Sequence, residues 1–264
     1  MKVFISADIE GTAGITHWDE AERDKPDHAE FRAFMTDEVV AACEGARAAG
    51  ATEVLVKDAH DSARNLILSK LPAWVSIVRG WSGHPDLMMF GLDPSFSAAL
   101  YTGYHDQAGT ESNPLAHTLS GRISRLWING AAASEFTLNA LCAGRHGVPS
   151  VFLSGDRGIC EAAGAMIPGI ATVATSEGFG SATRSLSPAG AVQAIRETVE
   201  EALAARRGGV PDMRGDWELR VEFNNPVDAY RGSWYPGVEH VAERTLRFRA
   251  GEYFEIQRAV RFIL

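Results

Sequence analysis

The sequence predicts an α/β fold: a mostly parallel, three-layer αβα sheet domain over residues 1–179, followed by a smaller α+β domain over residues 180–264. Three observations predict it. Short alternating apolar runs end again and again in acidic, histidine or glycine residues, and a long stretch of helical period separates the first two of them. Past Gly178 the texture changes to glycine and serine, and the later strands alternate more widely, as half-exposed strands do.

Residues 2–7 (KVFISA) alternate and are rich in β-formers, and they run into Asp8-Ile9-Glu10 and the turn Gly11–Gly14. From Glu30 to Ala49, Phe31, Phe34, Met35, Val39, Ala42 and Ala46 recur at helical spacing, with Gly50 as the stop. Residues 53–57 (EVLVK) form the next strand and end in Asp58-Ala59-His60, which completes a β-α-β unit of a parallel sheet. The pattern continues with 98–102, ending in Gly103-Tyr104-His105, and with 125–128, ending at Asn129-Gly130. Ser134 then caps a helix through Gly144 with Glu135 in its first turn. Residues 150–153 form a strand ending in Ser154-Gly155-Asp156, a helix follows over 157–165, and a short strand lies near 170–173. Ser187-Pro188 opens a long amphipathic helix through Arg206, and strands are expected at 218–223 and 244–249.

With 264 residues, 45% of them hydrophobic and 22% charged, the chain can bury a substantial core, so disorder is excluded. A net charge of −9 repels phosphate backbones and anionic lipid, which argues against nucleic acid and membrane partners. MKVFISADIE enters a strand directly, without an apolar signal core, and no later stretch is apolar enough to span a bilayer; a cytoplasmic location is expected. Cys43, Cys142 and Cys160 are odd in number and sit in alanine-rich helical patterns, which suits reduced, buried thiols.

Ligands of open α/β sheets bind outside the carboxyl ends of the strands, where the βα loops converge. Here those ends deliver Asp8 and Glu10, then His60, then His105, and Glu135 across a glycine turn. Asp8 and Glu10 are two apart and share a face while the chain stays extended. Carboxylates with imidazoles and no thiolate suit Zn²⁺ first, and Mn²⁺ or Co²⁺ less specifically. Five such groups exceed the needs of one tetrahedral ion. If Asp8 bridges, they divide into two sites of the kind that polarises a carbonyl and activates water. Taken singly, an aspartate at a strand end is as commonly a turn residue and a lone histidine more commonly structural. Their joint occurrence is what points to a metal centre. The Gly11–Gly14 turn is a weak phosphate-loop candidate, because it fits neither glycine fingerprint and two carboxylates precede it.

The segments SADIEGTAG (6–14), EVLVKDAH (53–60), GYH (103–105), AHTL (116–119), NGAAASE (129–135) with LNA (138–140), and VPSVFLSGD (148–156) resemble, in order, the D-aminopeptidase family of zinc metallopeptidases found with dipeptide-transport operons, the DppA type. The resemblance covers about the first two-thirds of the chain. It implies two zinc ions, with Asp8 bridging, Glu10 and His60 completing one site and His105 and Glu135 the other, and it implies His117 as the catalytic histidine. It further implies a homo-oligomer, commonly a decameric ring of pentamers. His117 lies in a loop after Asn113-Pro114, where an imidazole can exchange protons with substrate. His17, His28, His84, His146 and His240 are read as surface residues, and Asp58 and Asp156 as carboxylates that orient the ligating histidines or serve as caps. One stretch departs from the family: where a run of basic residues is expected in the wall of the substrate pocket, the sequence reads ATSEGFGSATR (174–184).

The function expected is hydrolysis of the N-terminal peptide bond of a short peptide, including those that begin with a D-residue. Another two-metal amide or ester hydrolase, such as a deacylase, is the alternative within enzymes. A metal-dependent peptide-binding protein without catalysis is the alternative from another class.

Overall fold

A computed structural model describes residues 1–264. In chain order the strands are β1 (Lys2–Ala7), β2 (Glu53–Asp58), β3 (Val75–Val78), β4 (Ala98–Tyr104), β5 (Ile123–Ile128), β6 (Ala131–Ala132), β7 (Ser150–Asp156), β8 (Ala171–Phe179), β9 (Ala182–Ser185), β10 (Trp217–Phe223), β11 (Glu239–Ala242) and β12 (Thr245–Ala250). The helices are α1 (Trp18–Ala21), α2 (His28–Ala48), α3 (Glu135–Arg145), α4 (Arg157–Met166), α5 (Pro188–Ala204), α6 (Pro226–Gly232) and α7 (Tyr253–Ile263).

The first sheet has the order β3-β2-β1-β4-β7-β8-β9 and is parallel except for β9. β1 shows why its strands are buried on both faces. Val3, Ile5 and Ala7 face the core shared with α2 and α5, while Phe4 faces the core that also holds α3 and α7. Because β2 and β4 flank β1 on opposite sides, the chain reverses its winding between β1 and β4, the position where α/β sheets open a crevice. The second sheet, β11-β12-β10-β5-β6, is antiparallel. Its inner residues Leu126, Leu219, Val221 and Leu246 join the core that contains α3 and α7.

The division expected near residue 180 does not coincide with the division between the sheets. Gly180 turns the β8–β9 hairpin inside the first sheet, and α5 beyond it packs on α2, whereas β5 and β6 from the middle of the chain belong to the second sheet. The 125–128 strand therefore does not continue the parallel series. Its partner, β10, lies about a hundred residues further along the chain, out of reach of any local pattern. Ser134 and Ser187 cap α3 and α5 as expected, each accepting a backbone N–H of the first turn. Cys43, Cys142 and Cys160 are free and buried. No helix is long and apolar enough to cross a membrane.

Candidate metal centre

β1 ends at Ala7, and the chain then turns rather than staying extended, with Thr12 N–H donating to the Ile9 carbonyl. This turn, not strand alternation, sends Asp8 and Glu10 to the same place. Gly11 makes it feasible: its N–H donates to Gly103 O at 2.8 Å, and a Cβ there would sit 1.8 Å from the Tyr104 carbonyl oxygen. Gly103 meets the turn from the other side with φ +68 and would place a Cβ 2.3 Å from Asp8 O. The two glycines thus let the ends of β1 and β4 close on each other and bring Asp8 toward His105.

All five groups expected to hold metal converge. Asp8, Glu10, His60, His105 and Glu135 are each 6% exposed or less. His60 Nδ1 lies 3.3 Å from Asp8 Oδ1 and 3.1 Å from Glu10 Oε2, and His105 Nε2 lies 3.6 Å from both Asp8 Oδ2 and Glu135 Oε1. Asp8, Glu10 and His60 form one group with ligand atoms within 4.8 Å of one another, and Asp8, His105 and Glu135 form a second that shares Asp8. His117 faces the same cluster, stacked on His105 at 4.2 Å between ring centroids, with Nε2 3.5 Å from Glu135 Oε1 and 3.8 Å from Glu10 Oε1. It also belongs to a third group, with Glu10 and His105. Glu135 arrives on the first turn of α3 behind the β5–β6 hairpin of the second sheet, not from a further parallel strand.

The ring nitrogens that face away are tied to backbone carbonyls. His60 Nε2 is 2.9 Å from Ala21 O, His105 Nδ1 2.9 Å from Asp106 O, and His117 Nδ1 2.9 Å from Leu115 O. Each such bond fixes which ring nitrogen is turned into the cluster, the one whose lone pair a metal ion would take in place of a proton. Asp58 and Asp156 do not touch these rings. Asp58 accepts N–H groups from Asn65 and Leu66, and Asp156 caps α4 and accepts Asp106 N–H, so both hold the loops behind the histidines. The alternative reading, a turn or cap role, is the one observed: Asp156 caps α4, and Asp58 ties down the loop at Asn65 and Leu66.

The electrostatics ask for a cation. Three carboxylates are buried together, and no lysine or arginine pairs with any of them. Asp8 Oδ2, Glu10 Oε2 and His105 Nε2 are buried with no hydrogen-bond partner, a costly condition unless an ion is meant to satisfy them. Burial and the neighbouring Glu10 push the Asp8 carboxyl well above its ordinary range. Burial opposes charge on Glu135 as well, yet His105 beside it holds that carboxyl down to about 2. Burial, then the charge of His105, lowers the His117 imidazole. Protons shared among carboxylates and imidazoles occupy the place a divalent cation would neutralise, and the all-N/O donor set fits zinc.

Asp8, Glu10, His60, His117 and Glu135 line a cavity of about 510 Å³, within the usual range for small-molecule sites. Trp18, Trp81, His84, Met88, Leu119 and Arg261 contribute to its walls. The sequence reading missed these. Trp18 lies in the single-turn α1, and Arg261 lies in α7, whose apolar period at Tyr253, Ile256, Val260 and Ile263 was available but does not tell which wall the helix lines. His84 is not a plain surface residue, since it lines the cavity, and His28 is buried at 3% exposure. Residues 174–184 line no part of the cavity, and their one basic side chain, Arg184, pairs with Glu177, so the departure there leaves the cavity wall unaffected.

A family model for D-aminopeptidase matches residues 1–262. A D-aminopeptidase of Bacillus subtilis (strain 168) is 31% identical over 263 residues, spanning 98% of this chain and 95% of that protein. The solved structure of the zinc-dependent D-aminopeptidase DppA from Bacillus subtilis, a self-compartmentalizing protease, matches with a TM-score of 0.93 at 30% identity, covering 100% of this chain and 96% of that one.

Proposed function

Since the chain belongs to the D-aminopeptidase family, we propose that it is a zinc-dependent aminopeptidase of short peptides, with those beginning in a D-residue as its first candidate substrates. The observation that carries this reading is the buried set of three carboxylates and three backbone-tied imidazoles without a lysine or arginine to neutralise it. Asp8, Glu10, His60, His105 and Glu135 are the proposed ligands. We assign them two ions, with Asp8 shared between the Glu10–His60 and His105–Glu135 groups. Zinc bound there supplies a Lewis acid for the scissile carbonyl and an activated water at neutral pH.

The chain's own residues do the rest. Leu119 N–H donates to Glu135 Oε1 at 2.7 Å and fixes that carboxylate, while the Ala21 and Asp106 carbonyls fix the two histidine rings. His117 is the proposed proton carrier. Its Nδ1 is occupied by Leu115 O, so Nε2 is the atom that takes a proton from the attacking water and returns it to the leaving amine. Its side chain is 15% exposed, more than the other donors, which suits a group that meets substrate. Trp18 packs edge-on against it at 5.2 Å and limits its movement.

Self-compartmentalizing assembly of the Bacillus relative supports a homo-oligomer here, with a decameric ring as the form to test. Val227, Tyr230 and Trp234, at helical spacing along and just past α6, are 67%, 61% and 73% exposed, an apolar patch suited to a subunit contact. A cytoplasmic location remains part of the proposal. The central test is metal analysis of purified protein, then chelation and add-back while matched D,D and L,L dipeptides and their N-acylated forms are assayed. Cleavage of free-amine peptides that disappears and returns with zinc is expected. Cleavage that survives metal removal, or that prefers blocked termini, would overturn the assignment.

A further inference from the structure

The walls of the cavity differ in charge. Five carboxylates line it, Asp8, Glu10, Glu22, Asp61 and Glu135, against a single arginine and no lysine. That arginine, Arg261, stands on the last turn of α7, where Val260 and Leu264 line the cavity beside it. It is half-buried and makes no ion pair, although the same helix pairs Arg258 with Glu255 and other surface arginines find carboxylates at 2.5–2.8 Å. None of the cavity's own five carboxylates lies within 4.0 Å of it. Its guanidinium rests 5.8 Å from the centre of the Phe262 ring, a contact that leaves its N–H groups unpaired with any carboxylate and free to pair with an anion from outside.

Resting on the aminopeptidase reading, we propose that Arg261 receives the free α-carboxylate of the substrate. Asp8 of the candidate metal cluster and Arg261 of α7 line the same cavity, so a peptide whose N-terminal carbonyl lies at that cluster presents its carboxylate to α7. The preferred substrates are those with an unblocked C-terminus. Arg261 acts as a specificity-determining residue: the guanidinium makes two parallel N–H···O bonds to a carboxylate and cannot make that pair with an amide.

The test compares D-Ala-D-Ala with its C-terminal amide on the metal-loaded enzyme, in wild type, Arg261→Gln and Arg261→Lys. The wild type is expected to favour the free acid in kcat/KM by about tenfold or more, the worth of a hydrogen bond to a charged group. Arg261→Gln erases that ratio through a raised KM, and Arg261→Lys restores part of it. Calorimetric titration of both peptides into the same proteins reads the carboxylate preference without turnover. If no peptide is cut, the aminopeptidase reading fails, and the titration still decides the role of Arg261. Equal wild-type affinity for acid and amide, or a preference that survives in Arg261→Gln, would overturn the proposal.

Discussion

At the wall formed by the candidate metal cluster Asp8, Glu10, His60, His105 and Glu135 are buried to 6% exposure or less, with each imidazole tied to a carbonyl and Glu135 held by a backbone N–H. In the rest of the cavity wall Trp18 and Trp81 keep 36% and 44% of their surface exposed, and Arg261 has no ion-pair partner. The first wall hangs mainly on strand ends of the parallel sheet and on the start of a capped helix, elements that position a side chain closely. The second is assembled from loops, the single-turn α1 and the end of α7. The contrast teaches a division of labour: groups that need fixed geometry sit on elements determined from several directions, and groups that meet varying substrates sit where some adjustment is tolerated.

Breaking the rigid wall should have the largest effect. His60→Ala and Glu135→Ala are each expected to remove metal and activity together, with kcat/KM down by more than about a thousandfold, since several kcal/mol of transition-state stabilisation depend on the ion. Elemental analysis beside peptide assays reads both losses. His117→Ala should separate them, keeping the metal while kcat falls by about 10²–10⁴. A variant of His117 that lost its metal would instead make this residue a ligand, as its place in a third donor group would allow.

Gly11→Ala probes the support behind the ligands. A methyl group 1.8 Å from the Tyr104 oxygen forces β1 and β4 apart, so a loss of roughly 3 kcal/mol in denaturant stability and weakened metal binding are expected. Elsewhere in the cavity wall, Trp81→Phe keeps a ring over Lys57 but removes the 2.6 Å bond from Nε1 to Asp61 O. KM should rise about fivefold, one net hydrogen bond, with metal content retained. A fall in metal content would show that the two walls are mechanically joined.

A further effect is one of pH and touches neither wall. Burial pushes the Glu38 carboxyl up to about 8, and the Ala13 N–H donated to it does not offset this. The unfolded chain releases the proton near the ordinary glutamate value, whereas the folded chain keeps it until about pH 8. This contribution to stability is therefore present at low pH and lost as pH rises through that window. Glu38→Gln, neutral throughout, should flatten the fall in melting temperature between pH 5 and 9 without changing the low-pH value by more than about 1 kcal/mol.

Much of the first wall was legible in the sequence. Alternating runs ended at Asp8, His60 and His105 because a strand's period of two is local, and Ser134 announced the helix that carries Glu135 because a cap bonds within three residues. The second sheet was not legible as a unit. β5 reads like one more strand of the parallel series, and only its register with β10 assigns it elsewhere. α7 carries a clear apolar face, yet nothing local says that Arg261 turns toward the cavity that Asp8 also lines.

The amino-acid sequence by itself determined which groups are available for chemistry and that they stand at element ends, since residue type and short-range period need no distant partner. The tertiary structure alone decided which ring nitrogen of each histidine is turned toward the carboxylates and which further residues line the cavity beside them. Those features depend on contacts between segments far apart in the chain, and such contacts are selected by packing across the whole core, which no local pattern encodes.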